Sequence, residues 1–495
     1  LIKGNSYKQI LKSTALIGGS EIIIILLKII KTKFVAILLG PIGIGISGLF
    51  DSSLGLVGTV TKLGIGFSSI RDISKASESN DIHRISTVIK ILRTWVWFTG
   101  FLGLFIVAIF SKSLSIWAFG DDSQQVSFIL LSIVMIIMAV SDGQLALLQG
   151  LRRIGDLAKA KVIGVFAGVL IALPLYWVYG VVGIVPAIIF SSFAALAISW
   201  WFSSRVHIET VSLSVREIII GGADMVRLGF FVVISGLIST GSLYLVRIFI
   251  SQKLNEESVG IFQAAWSIST MYIASVLGAM AADYYPRLSA ISDDSKKMNV
   301  LVNEQTEMAL LIAGPLIVGM IAFLKLIIII LYTDKFLPAI PLLEWQLLGT
   351  YFKVISWPLG FVLLAKGEGK KFVYSELIYF VIYLLLLYFG WNYLTLEITG
   401  VAFLVSYIFY LGFVFGLSKK ITGFFYSQKN IFIILIFLIL SIVSMVNSRH
   451  IPQPYSYIVG VLITATAIAY SYYRLIKLIS VSEIILKFKS RFLKR

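Results

Sequence analysis

Residues 125–156, QVSFILLSIVMIIMAVSDGQLALLQGLRRIGD, decide the fold. From Gln125 to Leu148 most side chains are apolar. The run exceeds the ~20 residues that a helix needs to cross ~30 Å of hydrocarbon at ~1.5 Å per residue. It does not alternate, which excludes the short strands of a membrane barrel. It ends on a basic loop, Arg152-Arg153-Ile-Gly-Asp156, with Lys159 and Lys161 just beyond. Working outward, the same unit recurs almost end to end, giving about fourteen spans. Six are expected between residues 8 and 202, six between 218 and 417, and two between 431 and 473. Hydrophobic residues make up 58% of the 495 and charged residues 14%, and the mean hydropathy is +0.94. A soluble chain this apolar could not cover its surface with polar groups.

Most of the 42 Lys and Arg fall in every second gap between the runs. Cytoplasmic loops collect such residues, so both termini of this multi-pass chain are expected on the cytoplasmic side of the membrane. The net charge of +17 therefore belongs to the inner face of a lipid bilayer, and no nucleic-acid partner is expected. There is no cysteine, and the three histidines (His83, His207, His450) are scattered over loops, so no metal site or cofactor is expected. No catalytic constellation stands out, and no P-loop is present. Gly43-Ile-Gly45-Ile-Ser-Gly48 matches a dinucleotide fingerprint, but it opens a membrane span and reads as a close helix contact. The N-terminus shows no cleavable signal peptide, so the first span is expected to direct insertion.

The polar stretch 203–217 is the natural midpoint. Gly48-Leu49-Phe50-Asp51 is echoed by Gly260-Ile261-Phe262-Gln263, and each follows a basic residue, Lys33 and Arg247. Leu147-Leu148-Gln-Gly is echoed by Leu363-Leu364-Ala-Lys. The offsets, about 212 to 216 residues, suggest a parallel repeat about an axis along the membrane normal. The expected architecture is an all-α integral membrane protein. An N-terminal lobe covers 1–215 and a C-terminal lobe 216–420, each of six helices around a central cavity. Two extra helices occupy 421–480, and a basic tail, 481–495, lies on the inner lipid surface.

Ionisable groups inside spans cost ~2.5–3.5 kcal/mol each on insertion scales and tend to face the bundle interior. The first span carries Glu21, Lys28 and Lys31 on one stripe, and the second carries Asp51 and Lys62. Asp142 and Gln144 interrupt the fourth, and Asp224, Arg227 and Arg247 lie in the seventh. Lys353 sits midway along the tenth, and Glu376 lies near one end of the eleventh. Asp224 and Arg227 read as a structural ion pair. Basic residues dominate, so Lys28, Lys31, Lys62, Arg247 and Lys353 are the candidates for holding an anion such as a pyrophosphate. Asp51, Asp142 and Glu376 are the candidates for coupling to an ion.

Several stretches resemble the Wzx-type O-antigen translocases. They are Leu38-Leu39-Gly40-Pro41-Ile-Gly43-Ile-Gly45, Gly48-Leu49-Phe50, Gln263-Ala-Ala-Trp266 and Asp283-Tyr-Tyr-Pro286-Arg287. Asn303-Glu304-Gln305-Thr-Glu307, Trp345-Gln346-Leu-Leu-Gly349, Trp357-Pro358-Leu-Gly360 and Ala365-Lys366-Gly367 continue the likeness. That family belongs to the multidrug/oligosaccharidyl-lipid/polysaccharide exporter superfamily, with the lipid II flippase MurJ and the MATE exporters. The resemblance implies alternating access and a non-enzymatic role in polysaccharide or lipopolysaccharide biosynthesis. It implies flipping of an undecaprenyl-pyrophosphate-linked oligosaccharide from the cytoplasmic to the periplasmic leaflet. It further implies coupling to H+ or Na+ and partnership with polymerase machinery. Lys31 matches the basic residue late in the first span that helps bind pyrophosphate in the MurJ branch. Thr59 and the Trp266 region are not basic where that branch has further cations, and Lys62 only lies nearby. The rival readings are a MATE-type cation or drug antiporter, which would want a carboxylate-dominated cavity, and a membrane glycosyltransferase or O-antigen polymerase, which would want a large external loop.

Overall fold

The computed structural model describes residues 2–78 and 81–478, with side chains from residue 19 onward apart from scattered positions. Asp224, Arg227 and the basic tail are expectations that lie outside the described residues and side chains. Helices and short 3-10 turns make up the described structure, with no strand among the described residues. Eight helical segments are long and apolar enough to cross a membrane, among them two hairpins, Ile154–Ser203 and Gly369–Thr422. Three further helices run to 60, 39 and 35 residues. With the longest split at its kink and each hairpin opened, fourteen helical segments of spanning length are described. The chain is a multi-pass membrane protein.

The chain divides into two compact units: residues 1–263 with 331–335, and residues 264–330 with 336–495. In the first unit, α1 (Ile2–Thr61) bends where Gly40 takes φ 65°, ψ −163° and Pro41 removes a backbone donor. α2 (Ile65–Glu78) follows. The polar composition of residues 71–84 predicts a loop, yet α2 continues through its first part because Ile73 and Ala76 find a buried face. The next helices are α3 (Ile82–Ile109), the short α4 (Ser111–Phe119) and α5 (Gln125–Gly150). α6 (Ile154–Tyr179) and α7 (Ile184–Ser203) form a hairpin about the 3-10 turn Gly180–Gly183. Ile73, Ile89, Leu92, Leu147, Leu148 and Phe202 form one buried cluster among α2, α3, α5 and α7. Residues 207–214 carry no regular secondary structure, and α8 (Val215–Lys253) then starts on a capping box in which Ser214 and Glu217 bond reciprocally. Those hydrogen bonds from Ser214 hold the Glu217 carboxyl below its ordinary value.

α9 (Glu256–Ala290) begins in the first unit and ends in the second. The two echoed segments touch there. A Cβ on Gly45 would collide with the backbone of Glu256 and Gly260, and one on Gly260 with the backbone of Pro41 and Gly45. The glycine-rich motif of the second span is therefore a backbone-to-backbone helix crossing, which only residues without a side chain permit.

The second unit continues with α10 (Ser295–Ala322), the short α11 (Leu324–Leu331, its last residue in the first unit) and α12 (Ile340–Ala365). The apolar run over 308–331 predicts a single span. The structure instead breaks the helix at Phe323, whose N–H closes the last turn on Gly319. α13 (Gly369–Leu394) and α14 (Ile398–Thr422) form the second hairpin, and α15 (Gln428–His450) and α16 (Tyr455–Leu478) close the unit. Asp294 caps α10 by accepting from the Lys297 N–H, and that bond lowers its carboxyl pKa. Tyr351, Leu347, Val354 and Phe403 lie at the centre, each at most 1% exposed.

Candidate functional site

In the first unit the candidates gather along the two limbs of α1. Arg247 on α8 is 7% exposed, and its guanidinium donates to the Gly48 carbonyl and to Gln263 Oε1. It thus bridges the two echoed segments, whose Gln263 occupies the repeat position of Asp51. Asp51 stands within electrostatic reach of both Lys31 and Arg247. Lys62, at the end of α1, pairs with Asp142 of α5 at 2.6 Å. Glu21 is taken by Lys161 of α6 at 3.1 Å. Gln144 accepts from the Ser203 hydroxyl at 2.7 Å and ties α5 to α7. That leaves Lys28, which is exposed, and Lys31 with no carboxylate at hydrogen-bond distance among the described residues.

Desolvation explains the pattern. A cation carried into a membrane helix needs a counter-charge, a carbonyl or water, and Arg247 finds the first two inside the protein. Lys31 has only the Asp51 carboxylate within electrostatic reach, and neither it nor Lys28 has a carboxylate at hydrogen-bond distance among the described residues, so they are the groups with N–H donors to offer an anion.

In the second unit, Lys353 of α12 lies 5.7 Å over the Tyr407 ring of α14 and is electrostatically coupled to Glu376 of α13. Glu376 accepts a hydrogen bond from Tyr410 at 2.9 Å. Tyr379, Tyr383, Tyr407 and Phe403 pack around the pair, with Tyr379 and Tyr407 centroids 4.5 Å apart. Tyrosines in a membrane chain sit by default in an interfacial belt, whereas Tyr379, Tyr383 and Tyr410 are buried between helices. The missed signal is their spacing: Tyr379 and Tyr383 recur at i,i+4 on α13, and Tyr407 and Tyr410 at i,i+3 on α14.

Two ionic clusters of this unit were also not foreseen. Glu307, from the Asn303–Glu307 motif, pairs with Lys429 at 2.7 Å and Arg474 at 3.1 Å, tying α10 to α15 and α16. Glu344, 1% exposed on α12, pairs with Arg449 at 2.5 Å, and Arg449 also reaches Glu397 at 3.3 Å. Trp345 Nε1 donates to Glu397 at 2.7 Å. The pointers were a carboxylate in the apolar run Leu342-Leu343-Glu344-Trp345 and the basic residues at helix ends that could meet it.

Each carboxylate proposed for ion coupling therefore faces a cation proposed for anion binding, within its own unit. Asp51 faces Lys31 and Arg247, Asp142 faces Lys62, and Glu376 faces Lys353. No cluster of His, Cys, Asp and Glu able to hold a metal ion occurs among the described residues.

The profile of the family described as "Polysaccharide biosynthesis protein" matches residues 34–341. The Lipid III flippase of Escherichia coli (strain K12) is 21% identical over 393 residues, which cover 78% of this chain and 92% of that protein. The teichuronic acid biosynthesis protein TuaB of Bacillus subtilis (strain 168) is 26% identical over 160 residues, and the match spans 32% of either chain. Among solved structures, an inward-facing MATE multidrug transporter aligns with a TM-score of 0.66 at 17% identity, covering 80% of this chain and 95% of that one. The lipid II flippase MurJ in an inward closed conformation aligns with a TM-score of 0.62 at 14% identity, covering 88% and 99%. The helical architecture is thus that of the MATE and MurJ transporters.

Proposed function

The chain belongs to the polysaccharide biosynthesis protein family, and on that premise we propose that it is a flippase for undecaprenyl-pyrophosphate-linked O-antigen or polysaccharide repeat units. The substrate would pass from the cytoplasmic to the periplasmic leaflet by alternating access of two lobes, with both termini in the cytoplasm. The observation that carries this reading is the excess of cations in the first unit. Lys28 and Lys31 keep donors free of carboxylate partners among the described residues, and Arg247 shares the electrostatic reach of Asp51 with Lys31. Pyrophosphate offers several acceptor oxygens and two or more negative charges, which ammonium groups hold by charge-assisted hydrogen bonds. The lipid tail stays in the bilayer while the sugars cross through hydrated space.

The chain carries no P-loop, so the energy would come from an ion gradient, H+ or Na+, or from removal of product by polymerase machinery. Among the three coupling candidates, Glu376 is the best placed. Its Tyr410 hydrogen bond and its Lys353 neighbour give the carboxylate two partners to exchange when it gains or loses a charge. A cation or drug antiporter is disfavoured by the basic surplus, since such cargo calls for acidic groups.

The test uses cells lacking the gene, complemented with wild type, Lys31→Ala or Lys353→Ala, and asks in which leaflet the lipid-linked oligosaccharide accumulates. Accumulation on the cytoplasmic side, cleared by wild type and by neither variant, supports flipping and the anion site together. Normal arrival in the periplasm without polymerisation would make the protein an enzyme of assembly and sink the proposal.

A further inference from the structure

The flippase reading leaves unused a second basic site in the first unit, where α3 begins and α7 ends. There, Arg93, Trp200, Ser204, Arg205, Val206, His207 and Ile208 line a hollow of about 460 Å³. The linker after α7 shapes it by alternation. Val206 and Ile208 pack on the buried cluster of α2, α3, α5 and α7, which turns His207 and Glu209 outward. The linker is fixed to α3 at two further points, and the start of α8 at a third. The Glu209 N–H donates to Ser86 Oγ at 3.0 Å, Lys90 Nζ donates to the Val211 carbonyl, and Trp95 Nε1 donates to the Ile218 carbonyl at 2.8 Å.

Two guanidinium groups thus face one preformed hollow. Arg205 is exposed, and its guanidinium carbon lies 3.8 Å from the centroid of the Trp201 ring. Arg93 stands 6.0 Å from the Trp200 ring, and its Nε is buried without a hydrogen-bond partner. Neither arginine has a carboxylate partner among the described residues. From Arg93, an apolar lane runs along α3 at four-residue spacing: Trp97, Phe101 and Phe105, exposed by 43, 46 and 57%. On α7, Trp200, Trp201 and Phe193 are exposed as well. Tryptophans at a helix end mark the headgroup level of a bilayer.

We infer that this hollow binds the phosphate of an anionic phospholipid, with Arg93 and Arg205 on the phosphate, His207 as a further donor, and an acyl chain along the α3 lane. A free phosphate would satisfy the arginines but would make no use of the aromatic lane that leads away from them. The site is separate from Lys28 and Lys31, and it stands or falls independently of the transport reading.

The full chain would be reconstituted in phosphatidylcholine vesicles containing phosphatidylglycerol, extracted, and its retained lipids counted by native mass spectrometry. Wild type is expected to retain phosphatidylglycerol over phosphatidylcholine. Arg93→Gln/Arg205→Gln should lower that retention about tenfold, and the control Lys296→Gln/Lys297→Gln should leave it unchanged. If the double variant does not fold, Arg205→Gln alone, in the exposed linker, carries the test with an expected loss of about threefold. Equal retention of both lipids by wild type, or full retention by the variants, would overturn the site. Release of the lipid by millimolar inorganic phosphate would reassign it to a free anion and overturn the lipid assignment.

Discussion

The two units treat charge inside the membrane differently. In the first, the candidate cations Lys28, Lys31, Lys62 and Arg247 outnumber the candidate acids Asp51 and Asp142, and two lysines keep free donors. In the second, Lys353 and Glu376 balance one another inside a cage of tyrosines, and Glu344 and Glu307 are each answered by arginine or lysine. An unbalanced group is costly to keep in an apolar setting unless a ligand or water meets it, whereas a balanced one holds helices together. The difference teaches where an anion is to be sought and where a switchable contact is to be sought.

The strongest way to break this comparison is Lys31→Ala. Removing one partner of a close charge contact costs ~2–5 kcal/mol, so export should fall more than tenfold, with Lys31→Arg keeping part of it. Full export by Lys31→Ala at normal expression would remove the first unit from the anion site. Next comes the second unit, where Lys353→Ala leaves Glu376 without the cation that faces it. Export should be abolished and the yield of folded protein should drop. Lys353→Ala/Glu376→Gln should restore the folded yield but not export. If the double variant folds no better than the single, the two groups are not partners.

A smaller effect is expected at Lys62 and Asp142, whose side chains are 31% and 51% exposed. Their coupling in a double-mutant cycle should be ~0–1 kcal/mol. Export near the wild-type level in Asp142→Asn would leave Glu376 and Asp51 as the coupling candidates, and loss of export would restore Asp142 to the list. Smallest of all are the two helix caps, Glu217 in the first unit and Asp294 in the second. Both carboxyls titrate below their ordinary values when folded. Their contribution is therefore present above the unfolded carboxylate pKa, ~4, and lost as pH falls through the folded pKa. Hydrogen exchange at the starts of α8 and α10 should stay slow down to about pH 4 and quicken below it. Quickening near neutrality at either end would show that the cap does not hold.

Much of this architecture was legible because a bilayer punishes unsatisfied backbone. A run such as 125–148 can only be a helix, and the basic loops between runs report which gaps share a side. The Gly43–Gly48 motif was likewise legible as a packing face. Residues 71–84 were not, because an amphipathic helix and a polar loop share a composition, and only the burial of Ile73 separates them. The pairing of Lys62 with Asp142, 80 positions apart, left no local trace. Nor did the tyrosine cage around Glu376, since each tyrosine taken singly fits an interfacial role.

By itself, then, the sequence determined the class of molecule, the number of helices, the family resemblance and the residue types that carry charge into the membrane. All of these are properties of single segments read against the free energy of hydrocarbon. Only the tertiary structure decided which charges are answered. Partnership depends on distances of 3–4 Å between side chains on different helices, and those distances arise from packing contacts, such as that between Gly45 and Gly260, that no single segment contains.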